Sequence, residues 1–154
     1  LKQLNEMQKE QHLTDVVLYT GEKEIHCHRT VMAAASLFFK KMFTSGMKES
    51  REGEVHLQEI DFNALSLIVR ASYGEKLKLN GDNVQSILEA SDRLEMREYI
   101  DDCIIYMCNH MDSDNCLDLY LISKKYSHDQ LKRSVVEYLV FGDNFADCMT
   151  CSDS

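Results

Sequence analysis

The spacing of apolar and polar positions changes period several times along the chain. Leu1, Leu4 and Met7 recur at helical spacing among Lys2, Gln3, Asn5, Glu6 and a polar run from Gln8 to Gln11. That pattern predicts a wet helix with one narrow apolar seam, which needs a partner. Thr14 to Tyr19 is β-branched and apolar, Thr20-Gly21-Glu22-Lys23 has turn composition, and Glu24 to His28 alternates, so the stretch reads as a hairpin. From Arg29 the period turns helical: Val31, Met32, Ala35, Phe38, Phe39, Met42 and Phe43 fall at i, i+3, i+4 and i+7 steps. This predicts a buried helix pair broken near Ser36 and ended by Thr44-Ser45-Gly46.

Glu54 to Gln58 alternates as a short strand, and Asp61 is placed to cap a helix that buries Phe62, Leu65, Ile68 and Val69 and closes at Tyr73-Gly74. Leu77 and Leu79 predict a small edge strand, and Asp82 a cap for a helix carrying Val84, Ile87 and Leu88. Leu94, Met96, Ile100, Cys103, Ile104, Met107 and Met111 predict one long amphipathic helix from about Asp92 to His110. After the capping cluster Asp112 to Asn115, two more helices are expected, Leu117 to Tyr126 and Asp129 to Phe141, with Leu117, Leu121, Leu131, Val135 and Leu139 as their apolar sets. The order of elements gives an α+β class: a small mixed sheet capped by helices, followed by an all-α tail.

Composition narrows the function. At 154 residues, with 44% hydrophobic and 28% charged residues, the chain has the balance of a soluble globular protein of one domain plus the first helices of another. Net charge is −9 with the basic residues scattered, so a phosphate backbone would be repelled and nucleic acid is not expected as a partner. Apolar runs such as Val31 to Ala35 fall far short of the ~20 residues of a membrane span. With Leu at position 1 and no basic, apolar leader, the chain reads as a fragment of a longer intracellular polypeptide. Of six cysteines, Cys103, Cys108 and Cys116 fall in segments of helical period, which predicts buried reduced thiols of a cytosolic or nuclear protein.

Candidate chemistry is sparse. Cys148-Met149-Thr150-Cys151 has the spacing of half a zinc site or a redox dithiol, but lacks two further ligands and a strand-to-helix context. His26 and His28 would share one face of a strand, and His110 and Cys116 lie near a helix junction. Ordinary polar partners account for both pairs more simply than a metal does. Asp101-Asp102 sits beside the apolar positions Ile100, Cys103 and Ile104 as solvated charge, and six scattered glycines form no phosphate-binding loop. No enzyme, metal or cofactor is expected.

Several segments together resemble the BTB (POZ) domains of kelch-like proteins: Thr14-Asp15-Val16-Val17-Leu18, Ile25 to Ser36, Phe38-Phe39 through Met42 to Ser50, and Glu54-Val55-His56-Leu57. Asp114-Asn115-Cys116-Leu117 resembles the opening of the three-box, the helical pair that begins the BACK region, so the resemblance covers residues 1 to about 140. It implies a dimerisation domain over 1–110 and the three-box over 111–154. The implied function is a non-catalytic homodimeric adaptor that binds the cullin-3 N-terminal domain in a ubiquitin ligase, with protein substrates recognised by a region outside this stretch.

Residue by residue, the resemblance implies that Asp15 and Arg29 form a buried charged pair in the dimer core. From the residues alone, Asp15 opening a strand and Arg29 starting a helix at the surface stays open. The Leu1, Leu4, Met7 seam would pack on its copy, or else within its own chain. The cullin contact would centre on Met47 and Glu49, with Phe43 beneath them, Leu94 adding apolar area, and Leu117 and Leu121 offering a groove. Departures occur at Tyr73-Gly74-Glu75, where the family usually reads Tyr-Thr-Gly, at Ala71 in place of an aromatic, and at Asn144-Phe145, which comes late. The competing implication is a BTB dimer serving as a transcriptional corepressor scaffold or other oligomerisation module. The three-box helices discriminate against the corepressor class.

Overall fold

The computed structural model describes residues 2–46 and 52–141. Among them, in chain order, are α1 (Lys2–Lys9), β1 (Val16–Thr20), β2 (Lys23–Cys27), α2 (Arg29–Ala35), α3 (Leu37–Thr44), β3 (Glu54–His56), α4 (Phe62–Ser72), α5 (Val84–Arg93), α6 (Arg97–Asn109), α7 (Cys116–Lys125) and α8 (Asp129–Phe141). The chain divides into two compact units, Leu1–Ile100 and Asp101–Ser154. The α+β class and the small mixed sheet are as expected.

In the first unit the sheet order is β2-β1-β3. β1 and β2 are antiparallel, with Leu18 opposite Ile25, and β1 and β3 are parallel, with Leu18 opposite Val55. The hairpin closes through Gly21-Glu22, and Gly21 at φ 64° takes the left-handed conformation that a two-residue turn of this kind demands of its first residue. Alternation sends Val16, Leu18, Cys27 and Val55 into the core, where they join Met32, Phe39, Leu65, Ile68, Ile87 and Leu88 from the helices.

The expected break near Ser36 is real and has a cause. Ser36 is extended (φ −134°, ψ 120°), and its Oγ accepts the Phe39 N–H at 3.1 Å while donating to the Leu94 carbonyl at 2.5 Å. One buried hydroxyl thus caps α3 and ties it to the end of α5. Asp61 caps α4 as expected, accepting the Ala64 N–H at 2.9 Å.

Three expectations about the elements are corrected. Leu77 and Leu79 do not form a strand: residues 75–80 carry no regular structure, since two alternating apolar positions specify no pairing partner. Asp82 does not cap α5. Asn80 Oδ1 accepts the Asp82 and Asn83 N–H groups while Asn83 Oδ1 accepts the Asn80 N–H, a reciprocal side-chain turn that starts the helix. The long helix does not begin at Asp92, because α5 stops at Arg93, Glu95 turns left-handed (φ 51°) and α6 begins at Arg97.

Among the described residues, that stop is one of four alike. The Met96 N–H bonds the Ser91 carbonyl and Glu95 the Asp92 carbonyl, the paired bonds of a Schellman closure. The same two bonds end α1 (His12 to Met7, Gln11 to Gln8), α4 (Glu75 to Arg70, Gly74 to Ala71) and α7 (His128 to Ser123, Ser127 to Lys124). The left-handed residue is Gly only in α4; the others are Gln11, Glu95 and Ser127.

In the second unit α7 and α8 pack together, burying Cys116, Leu119, Leu131 and Val135. The turn before α7 repeats the Asn80–Asn83 device: Asp112 Oδ1 accepts the Asp114 and Asn115 N–H groups, and Asn115 Oδ1 accepts the Asp112 N–H. Cys27 and Cys103 are buried free thiols and Cys108 a half-buried one. Cys116 is disulfide-bonded, so the reduced-thiol expectation fails there: burial on a helix does not preclude pairing.

Candidate functional site

α1 is held to the rest of the first unit mainly by polar groups, for no residue of it is fully buried. Leu4 and Met7, the expected seam, are half-buried. Gln8 Nε2 donates to the His26 carbonyl at 2.8 Å, and Asn5 Nδ2 and Lys9 Nζ both reach Glu75 Oε1, at 3.1 and 2.9 Å. Lys9 and then Asn5, donating to the Glu75 carboxyl, hold it below its usual range.

Asp15 and Arg29 come together, but through the main chain: Asp15 Oδ1 accepts the Arg29 backbone N–H at 2.7 Å, satisfying a donor in the first turn of α2. The Arg29 guanidinium instead lies 5.8 Å from the Phe43 ring centre. Its Nε is buried and meets no acceptor among the described residues. Phe43 is half-buried and stacks on Phe39, ring centres 5.6 Å apart and 10° from parallel, which fixes the end of α3.

The other expected contact residues separate. Leu94 is 1% exposed. It closes α5 from within the core and has no area to offer a partner, which corrects the expectation that it does. In the second unit Leu117 is half-buried and Leu121 is 62% exposed. Leu1, Met47, Glu49, Asn144, Phe145, Cys148 and Cys151 lie outside the described residues.

The two histidines expected on one strand face have different settings. His26 is half-buried, its Nε2 3.3 Å from Glu24 Oε1. His28 has left the strand and is buried beside α2, with Nδ1 2.6 Å from the Tyr73 hydroxyl and Nε2 2.8 Å from the His12 carbonyl. A carbonyl only accepts, so Nε2 carries the proton and Nδ1 accepts from the phenol, which in turn accepts the His28 backbone N–H at 2.8 Å. Burial above all pushes the Tyr73 phenol up, keeping it a donor. Sequence reasoning missed this joint, since nothing local links positions 45 residues apart. Its only local sign was a polar residue at a hairpin-to-helix junction. His110 stacks on Tyr106 with ring centres 4.0 Å apart. Among the described residues no group of three or more His, Cys, Asp or Glu is placed to hold a metal, and no helix is long and apolar enough to cross a membrane.

The first unit thus presents a polar-tethered helix and a stacked aromatic at the end of α3, and the second unit an exposed leucine on α7. Residues 4–111 match the BTB/POZ domain family. The chain is 37% identical over 139 residues to kelch repeat and BTB domain-containing protein 12 of Danio rerio, covering 90% of the chain and 22% of that protein. It is 34% identical to kelch repeat and BTB domain-containing protein 8 of Homo sapiens, covering 90% and 23%, and 32% identical to kelch-like protein 7 of Rattus norvegicus, covering 88% and 23%. The chain thus spans less than a quarter of the length of these relatives. On the match over 4–111 and the order of its strands and helices, the chain belongs to the BTB/POZ domain family.

Proposed function

We propose that this chain is the homodimeric, non-catalytic adaptor module of a cullin-3 ubiquitin ligase, acting in the cytosol or nucleus, with protein substrates recognised by a region beyond it. The observation that carries the reading is the BTB/POZ match over 4–111 followed directly by the packed pair α7 and α8. A corepressor scaffold is the second reading, and that helical pair speaks against it.

In this reading α1 supplies the dimer contact through Leu4 and Met7, continued by Leu1 and flanked by Asp15 and Arg29. A second copy would complete the cover of a seam that its own chain leaves half-wet. An acceptor from that copy would also satisfy Arg29 Nε. The cullin domain would meet Met47 and Glu49 just past α3. That helix ends at Gly46 (φ 74°), and the Phe39–Phe43 stack holds its last turn in place. Met47 would fill a pocket, Glu49 would accept hydrogen bonds, and Leu117 and Leu121 would offer apolar area to a further segment of the cullin. Size-exclusion chromatography with the N-terminal region of cullin-3 tests the reading. Co-elution at a mass of two chains and two cullin domains is expected; separate elution at micromolar concentration contradicts it.

A further inference from the structure

We propose that Glu75 is the positioning residue of the dimer, a clasp that fixes α1 in the orientation from which its Leu4 and Met7 seam meets a second copy. The inference rests on the homodimer reading above. Three facts carry it. First, α1 has no fully buried residue, so apolar packing within the chain does not by itself fix its rotation about its own axis. Second, one carboxylate oxygen holds two successive turns: Asn5 and Lys9 are four residues apart on one helix face, and both reach Glu75 Oε1. A bond at either position alone would leave the helix free to pivot; two on one oxygen set its tilt and roll together.

Third, the clasp stands on rigid backbone at both ends. Glu75 is the residue whose N–H returns to the Arg70 carbonyl to close α4, so its Cα is fixed by the helix end. α1 is closed by the His12 and Gln11 N–H groups, and the His12 carbonyl is held by His28 Nε2. Leu13 then takes φ 59°, a conformation costly for a side chain with a Cβ, and is 83% exposed. That backbone is tolerated only while its surroundings hold it. The remaining tether, Gln8 Nε2 to the His26 carbonyl, is a neutral bond at the edge of β2.

The test uses the chain as it stands, with Glu75→Gln, Glu75→Lys and the exchange Lys9→Glu with Glu75→Lys. Sedimentation equilibrium gives the dimer dissociation constant at low and high salt, hydrogen exchange reports the α1 amides, and circular dichroism confirms that each variant is folded. Glu75→Lys is expected to raise the dissociation constant at least tenfold and Glu75→Gln about threefold. Both should speed exchange along α1. The exchanged pair should return the constant to within about threefold of wild type, since Asn5 Oδ1, buried and without a partner among the described residues, can accept from a lysine at 75. High salt should weaken the wild-type dimer towards the Glu75→Gln value. A wild-type dimer whose constant Glu75→Lys leaves within twofold overturns the proposal, as does a loss that the exchanged pair does not restore. A monomeric wild type refutes the homodimer reading instead, and with it the clasp's role in dimerisation.

Discussion

Replacing Tyr73 by Phe removes one oxygen atom and, on this structure, opens two bonds at once. The hydroxyl both donates to His28 Nδ1 at 2.6 Å and accepts the His28 backbone N–H at 2.8 Å. Tyr73 is 1% exposed and His28 7%, so water does not reach either group as a substitute. The imidazole has no way out by changing tautomer, for a proton moved to Nδ1 would leave Nε2 facing the His12 carbonyl, acceptor against acceptor. Each buried polar group left unsatisfied costs about 1–3 kcal/mol, partly offset because the phenol no longer has to be buried. The net loss should be about 2–4 kcal/mol. For a chain of this length that is a fall in Tm of roughly 5–15 °C. Urea unfolding followed by far-ultraviolet circular dichroism measures it. The midpoint should drop with the slope unchanged, because the buried surface is the same. A loss below about 1 kcal/mol would refute the reasoning, showing that the joint is wet or that His28 has found other partners.

Leu4→Asp together with Met7→Asp places two carboxylates in the α1 seam, and light scattering should report a monomer where wild type gives twice the chain mass. A wild-type mass of one chain at micromolar concentration rules out the dimer. Asp15→Ala should lower stability by about 1 kcal/mol, the worth of a carboxylate on a first-turn N–H, as the bond to Arg29 is through its main chain. A loss of about 3–5 kcal/mol in chemical denaturation would mean instead that the carboxylate is the dry partner of the guanidinium. Burial, more than the nearby Asp15 and Asp102 charges, pushes the Cys27 and Cys103 thiols up to about 12 from 9.0. The unfolded chain therefore loses these protons first as pH rises: the contribution is complete below about pH 9 and is lost towards pH 12. Melting temperature should fall over that window, and less so in Cys27→Ala; identical slopes for the two proteins would contradict it.

What the sequence made legible was local. The hairpin, the break at Ser36, the Asp61 cap and the capping cluster before α7 each follow from a residue type acting on backbone within four positions of itself. The closure of α4 was readable because Gly74 occupies its left-handed position. At α5 the equivalent residue is Glu95, which looks like one more polar position in a helical period, and the reading ran straight through it into α6. Leu94 fell among the apolar positions of that expected helix, and its partner-facing role came from the resemblance alone; as the closing residue of α5 it is in the core. The His28–Tyr73 joint and the Glu75 clasp were hidden because their partners are 45 and about 70 residues apart in sequence, brought together only by the packing of α4 against the hairpin and α1. Conversely, Met47 and Glu49 were singled out by motif, and their proposed part in cullin binding stands on that motif and on the fixed end of α3.

The central claim is that the segment just past α3 is read by cullin-3. Calorimetric titration of the cullin-3 N-terminal domain into wild type, Met47→Asp and Glu49→Ala addresses it directly. Burial of a Met side chain is worth ~1.5–3 kcal/mol, and the substitution adds a charge. Met47→Asp should therefore weaken binding by about tenfold to a hundredfold or more while the dimer and its melting temperature persist, with a smaller loss for Glu49→Ala. Unchanged affinity in both variants would place the contact elsewhere, and no heat of binding to the wild type would contradict the adaptor account itself.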